Sequence, residues 1–149
     1  MQLQAESNPS LNTVTAYGDH YIEINAVRFD HAVYFGPEGA VQPWMVTSVH
    51  DVSTAQLNEI AGLGQTKVSA MDFLDAPEGR RLKPANAPEV ILVGTGQHQH
   101  FLPAAITRPL LEMGIGIETM STQAAARTYN ILMAEGRRVM AALLPLESK

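Results

Sequence analysis

The chain has no cysteine among its 149 residues. That absence excludes disulfides, thiolate catalysis and zinc–sulfur sites. Basic residues are few: ten Lys and Arg stand against fifteen Asp and Glu, a net charge of −5. Binding along a phosphate backbone rests on clustered Lys and Arg, so a general nucleic-acid binder is disfavoured. No apolar run approaches the roughly 20 residues that a membrane span needs. Residues 1–12 are polar, with no basic start and no apolar stretch. They read as a flexible tail and not as a secretory signal, and the expected setting is cytoplasmic. Catalytic signatures are missing too. There is no Gly-x-Ser-x-Gly elbow. No glycine cluster has the spacing of a dinucleotide fingerprint, and no Lys-Ser/Thr pair completes a P-loop.

What is present is ample apolar content, 46% of the chain. At this length it can fill the core of one domain, expected over residues 13–145. The N-terminal third reads as strands. Residues 13–17 and 21–24 flank a short turn at Gly18-Asp19-His20. A third run, 31–35, ends at Gly36-Pro37-Glu38-Gly39, and 41–46 returns as a fourth. This pattern predicts an antiparallel β-meander with one wet face. Ser53 to Gln56 forms a capping-box pattern ahead of Leu57, Ile60 and Ala61, and Gly62 and Gly64 stop that helix. Residues 66–75 fit either strand or helix. Residues 76–88 hold three prolines and no periodicity, so they read as an exposed loop, made locally basic by Arg80, Arg81 and Lys83.

The C-terminal half is more regular. Residues 90–93 are almost wholly apolar, as a strand covered on both faces should be. Strands at 115–120 and 139–144 follow, separated by helical stretches, which predicts a parallel βαβαβ unit. In the first crossover Pro109 would fall inside the helix at a cost of about 3 kcal/mol. The expectation is a helix that starts late, near Thr107, or is broken. In the second, Ser121 or Thr122 caps a helix that runs to Glu135 and ends at Gly136. Its face with Ala125, Thr128, Tyr129 and Leu132 should meet the sheet.

The candidate site is the turn Gly94-Thr95-Gly96 at the end of the first parallel strand. Open α/β sheets bind ligands beyond the carboxyl ends of their strands, and glycine amides can cradle a small anion. Arg127 and Asn130, three apart on the long helix, could supply donors to the same edge. The plain alternative is structural: a tight exit from a strand, an arginine on loop carbonyls, and a Tyr129 packed on the sheet with its hydroxyl satisfied. His98 and His100 flank Gln99, but two imidazoles without a third ligand make a poor metal site. His20, His31 and His50, with Asp19 and Asp51, are scattered, so no metal is expected. The carboxylates Asp72 and Asp75 read as a solvated turn.

The order of these motifs resembles a widespread family of small α/β proteins of uncharacterised function. The residues that carry the resemblance are Tyr17-Gly18 with 21–24, Pro43-Trp44, Glu89-Val90 leading into Gly94-Thr95-Gly96, residues 114–118, and Arg127-Thr128-Tyr129-Asn130 followed by 135–139. Eukaryotic members of that family include a mitochondrial assembly factor for respiratory complex I and an adipogenesis-associated protein. The resemblance covers about residues 13–46 and 88–145. It implies a single three-layer α/β domain in which the antiparallel meander joins the parallel βαβαβ unit. It implies no catalytic residues. Between Val46 and Pro88 the chain departs from the family pattern and is longer.

The expected function is therefore a non-catalytic interaction or assembly module without a cofactor. Its expected partner is another protein, and self-association through a sheet edge is compatible with the pattern. The alternative is a small-molecule or anion-binding protein, or an enzyme, with its site at Gly94, Thr95, Gly96, Arg127 and Asn130.

Overall fold

The computed structural model describes residues 11–63 and 87–147. The tail up to residue 10, the ambiguous stretch 66–75 with Asp72 and Asp75, and the basic part of the loop 76–88 lie outside the described residues. Three strands come first: β1 (Val14–Gly18), β2 (Tyr21–Ile24) and β3 (Val27–Phe29). They make an antiparallel sheet of their own, ordered β1-β2-β3. The second hairpin turns at Asn25 and Ala26, with φ of 53° and 66°. Two successive positive φ values are what a tight two-residue hairpin needs. Asn tolerates this backbone; Ala does so less readily, and its amide is held by Thr15 Oγ1 at 3.1 Å. Without a glycine at either position, this hairpin and β3 escaped the sequence pattern.

Next come β4 (Val33–Phe35) and β5 (Gln42–Pro43), which pair antiparallel. Their partner is not the first sheet. β4 lies against β8 (Val139–Leu143), with Val33 opposite Leu143 and Phe35 opposite Ala141. The expected meander is thus antiparallel but divided between two sheets, and the fourth strand is shorter than 41–46. Pro43 has no N–H to offer a ladder, which suits a short edge strand. A 3-10 turn (Val49–Asp51) then leads to α1 (Thr54–Ile60). The capping box forms as the sequence predicts: Gln56 N–H donates to Ser53 Oγ, and Ser53 N–H to Gln56 Oε1.

The rest alternates strand and helix: β6 (Val90–Gly94), α2 (Ala104–Glu112), β7 (Gly116–Met120), α3 (Thr122–Ala134), β8. β6 pairs parallel with both β7 and β8, and the large sheet is ordered β5-β4-β8-β6-β7. Side chains alternate across it. Ile91 and Val93 enter one core with Trp44, Leu57, Ile60 and Leu110. Leu92 enters the other, with Ile22, Ile24, Phe35, Ala125, Tyr129 and Val139. Helices α1 and α2 therefore cover one face, while α3 and the small sheet cover the other. That double cover is why β6 is apolar throughout. Each fully buried Ile or Leu contributes about 1.5–3 kcal/mol.

Helix α2 corrects the expected late start. It begins at Ala104, directly after Pro103, and carries Pro109 inside. Pro109 has no N–H to give Ala105 O, so the helix forgoes that i→i−4 bond. Ile106 N–H bonds to Pro103 O in the first turn, and Leu110 is fully buried. Helix α3 ends as the sequence predicts. Gly136 has φ +80°, its N–H bonds to Met133 O, and Arg137 N–H reaches Leu132 O.

Candidate functional site

The turn after β6 is closed by backbone proximity. A Cβ at Gly94 would lie 2.9 Å from Thr122 Cα and Oγ1, so the first turn of α3 leaves no room for a side chain. Gly96 has φ +98°, a conformation that glycine adopts without strain. Between them Thr95 is buried. Its N–H donates to Met120 O at 2.9 Å and its hydroxyl to His98 O at 2.7 Å. The same oxygen accepts from His100 N–H at 3.1 Å.

Thr122 extends this network. Its Oγ1 accepts Gly96 N–H at 2.9 Å and donates to Leu144 O at 2.6 Å. Thr122 N–H returns to Gly96 O, and Gln97 N–H goes to Leu146 O at 2.9 Å. The three amides that a cradle would aim at an anion, those of Thr95, Gly96 and Gln97, are thus all engaged within the chain. Thr122 was missed from sequence as more than a helix cap. A threonine at a helix start is common, and only its distance-spanning partners set this one apart.

Two adjoining clefts open beside this rim. One, of about 500 Å³, is lined by Ser48, His50, Thr95, Gly96, His98 and His100 among others. The other, of about 400 Å³, is lined largely by Ala32, Trp44, Met45 and Val46, with His20, Asp30 and His31. They share Thr47, Leu144, Pro145 and Glu147. In the first, Thr47 Oγ1–H and N–H both donate to Asp51, and these bonds hold its exposed carboxyl below the ordinary aspartate range. Among the described residues no group of three or more His, Asp or Glu is placed to hold a metal ion.

Of the two helix residues of the candidate site, Asn130 goes elsewhere. Arg127 is exposed. Asn130 brackets β1: its Oδ1 accepts Val14 N–H at 3.0 Å and its Nδ2 donates to Val14 O at 2.9 Å. It stands eight residues beyond Thr122, about 12 Å along the helix axis. The structure therefore does not bring the Asn130 amide to the glycine turn. Beside it the fully buried Tyr129 packs edge-on against Phe35, centroids 4.8 Å apart. Its hydroxyl donates to Asn12 O at 2.8 Å, and burial pushes the phenol well above its ordinary pKa.

Asn12 corrects the reading of residues 1–12 as a tail throughout, since it is itself buried. Its amide donates to Gly36 O at 2.9 Å and Gly39 O at 2.8 Å, and its Oδ1 accepts from Asn25 Nδ2 at 2.8 Å. A carboxamide in a polar stretch gives no local sign of partners 13 to 27 residues away.

Together these features define a mixed α/β protein with an antiparallel sheet, a mixed sheet containing parallel strands, and motif segments that tie helix to sheet. Residues 14–144 match the family described as "Protein of unknown function (DUF498/DUF598)", and the chain belongs to that family. The fold is similar to the solution structure of a Bordetella pertussis protein described as a Mth938-like domain. That likeness has a TM-score of 0.78 at 56% identity and covers 100% of this chain and 95% of the other. An uncharacterised protein of Rhodobacter capsulatus is 45% identical over 62 residues, which are 42% of this chain and 50% of that protein. Human NADH dehydrogenase [ubiquinone] 1 alpha subcomplex assembly factor 3 is 37% identical over 57 residues, 38% of this chain and 31% of that protein. The chain thus covers half or less of these curated relatives. No helix among the described residues is long and apolar enough to cross a membrane.

Proposed function

We propose that the chain is a non-catalytic interaction module that helps to assemble a larger protein complex in the cytoplasm. One observation carries this reading: four polar side chains in or beside the motif segments serve the chain's own backbone. Thr95, Thr122, Tyr129 and Asn130 each bond to a main-chain group. In keeping with this, Met45 and Phe101 are 83% and 81% exposed. Met45 lines one cleft, and Phe101 follows His100 of the other. Such side chains give adaptable apolar contact area to a protein partner. The human relative is named as an assembly factor of NADH dehydrogenase, which makes a respiratory complex the first partner to test.

The test is a strain lacking the gene, with its NADH dehydrogenase examined on native gels. The expected result is less assembled complex, restored by the wild-type protein and by His98→Ala but not by Met45→Asp with Phe101→Asp. Normal assembly in the deletion strain contradicts the proposal. A second reading, a small anion beside Gly94, Thr95 and Gly96, draws on the three imidazoles of His50, His98 and His100 around one cleft. Inorganic phosphate titrated into labelled protein would shift the resonances of His98 and His100. Silence at tens of millimolar phosphate removes that reading.

A further inference from the structure

The smaller of the two clefts, of about 400 Å³, has an apolar wall. Ala32, Trp44, Val46 and Leu144 are buried in it, and Met45 stands exposed at its side. Pockets of roughly 300–1,000 Å³ take whole drug-sized molecules, so a large side chain fits here. The charge around this wall is of one sign. Among the described residues neither cleft is lined by Lys or Arg, while Asp30 and Glu147 both line the apolar one. Asp30 is exposed and makes no ion pair among the described residues. Glu147 N–H is fixed on Asp19 O at 2.8 Å, which holds this glutamate at the rim. Its carboxylate is half exposed and faces only His20 Nε2, at 3.9 Å. Nearby arginines do not neutralise the rim. Arg28 lies over the Tyr21 ring and beside Glu23, and Arg137 is with Glu89 at the amino ends of the parallel strands.

We infer that this cleft docks a protein segment in which a large apolar side chain is flanked by Lys or Arg. The apolar side chain enters between Trp44, Met45 and Leu144, and the basic ones meet Asp30 and Glu147 at the rim. The two parts do different work. A buried anchor supplies most of the affinity of such a contact. Exposed carboxylates add little affinity by themselves, but they choose the sign of the partner and speed its arrival. An acidic segment is refused by the rim and by the net charge of −5. Met45, unbranched and exposed, can repack around anchors of different shape. This inference rests on the reading of the chain as an interaction module and supplies the chemistry of its partner.

The full chain, with labelled Met methyls, is titrated with three pools of short blocked peptides. The first pool carries Leu, Phe or Met between Lys or Arg. The second has Glu in place of the basic residues, and the third has Ser in place of the apolar one. The expected result is a saturable shift of the Met45 methyl with the first pool, weakened by added salt. The other two pools should bind about tenfold more weakly. Asp30→Asn with Glu147→Gln changes only exposed or half-exposed groups, so the variant should keep its amide spectrum. It should bind the first pool about fivefold more weakly and lose most of the salt dependence. A Met45 methyl unmoved by the first pool, or moved alike by the first and second, overturns the inference. Binding of the first pool by the double variant at wild-type strength overturns it too. These outcomes are read without the respiratory complex, so the docking chemistry can fail while the deletion strain still shows an assembly defect.

Discussion

The two faces of the five-stranded sheet are finished differently. On the α3 face, polar side chains reach across the chain and find partners: Tyr129 on Asn12, Asn130 on Val14. On the α1 and α2 face the core is apolar, with Leu57, Ile60, Leu110 and Ile115, and its one indole donor is unpaired beside a cavity. A paired network fixes one arrangement, because breaking any member leaves a buried group alone. An apolar wall with an unpaired donor lacks that constraint. The first face is fixed by paired polar groups as well as packing, and the second by apolar packing alone.

The largest effect should come from breaking the closed face. Tyr129→Ala removes a fully buried ring and its hydroxyl, and should cost about 4 kcal/mol in urea unfolding. A loss below about 1 kcal/mol would mean that this face is not held as described. Asn130→Ala should cost about 2 kcal/mol, since the N–H and C=O of Val14 both lose a partner. Its effect should be read at the amides of β1, which should exchange faster while those of β6 stay protected.

The smallest effect lies at the amino ends of the parallel strands, outside both faces. Arg138 N–H donates to Glu89 Oε2 at 3.1 Å, and Arg137 Nε lies 3.6 Å from the same oxygen. The Arg138 bond, more than the guanidinium charge, holds the Glu89 carboxyl below the ordinary glutamate value of about 4.5. A depressed folded-state value stabilises the fold above the ordinary value, and this contribution is lost as pH falls through the depressed one. Glu89→Gln should therefore give a shallower acid decline in thermal stability below about pH 4.5. An unchanged acid limb would remove Glu89 from the account.

Much of this architecture was legible because it is local. The apolar run of β6, the Ser53–Gln56 box and the Gly136 terminus each announce themselves within a few residues. The parallel order of β6, β7 and β8 followed from strands separated by helices. What escaped was long-range or quiet. Nothing in residues 33–35 says that their partner is β8, more than a hundred positions away. The Asn25-Ala26 turn carries no glycine, and Pro109 pointed to a break that α2 does not show. The glycine turn itself was plain in the sequence. The use made of its amides was not, because Met120 O, Thr122 Oγ1 and Leu146 O come from other stretches of chain.

The central claim is that the glycine turn directs its polar groups into the chain itself. Hydrogen exchange at the amides of Thr95, Gly96 and Gln97 tests it most directly. The account predicts slow exchange at all three, with rates unaltered by added phosphate. Fast exchange there, slowed when phosphate is added, would show open donors waiting for an anion and would contradict it.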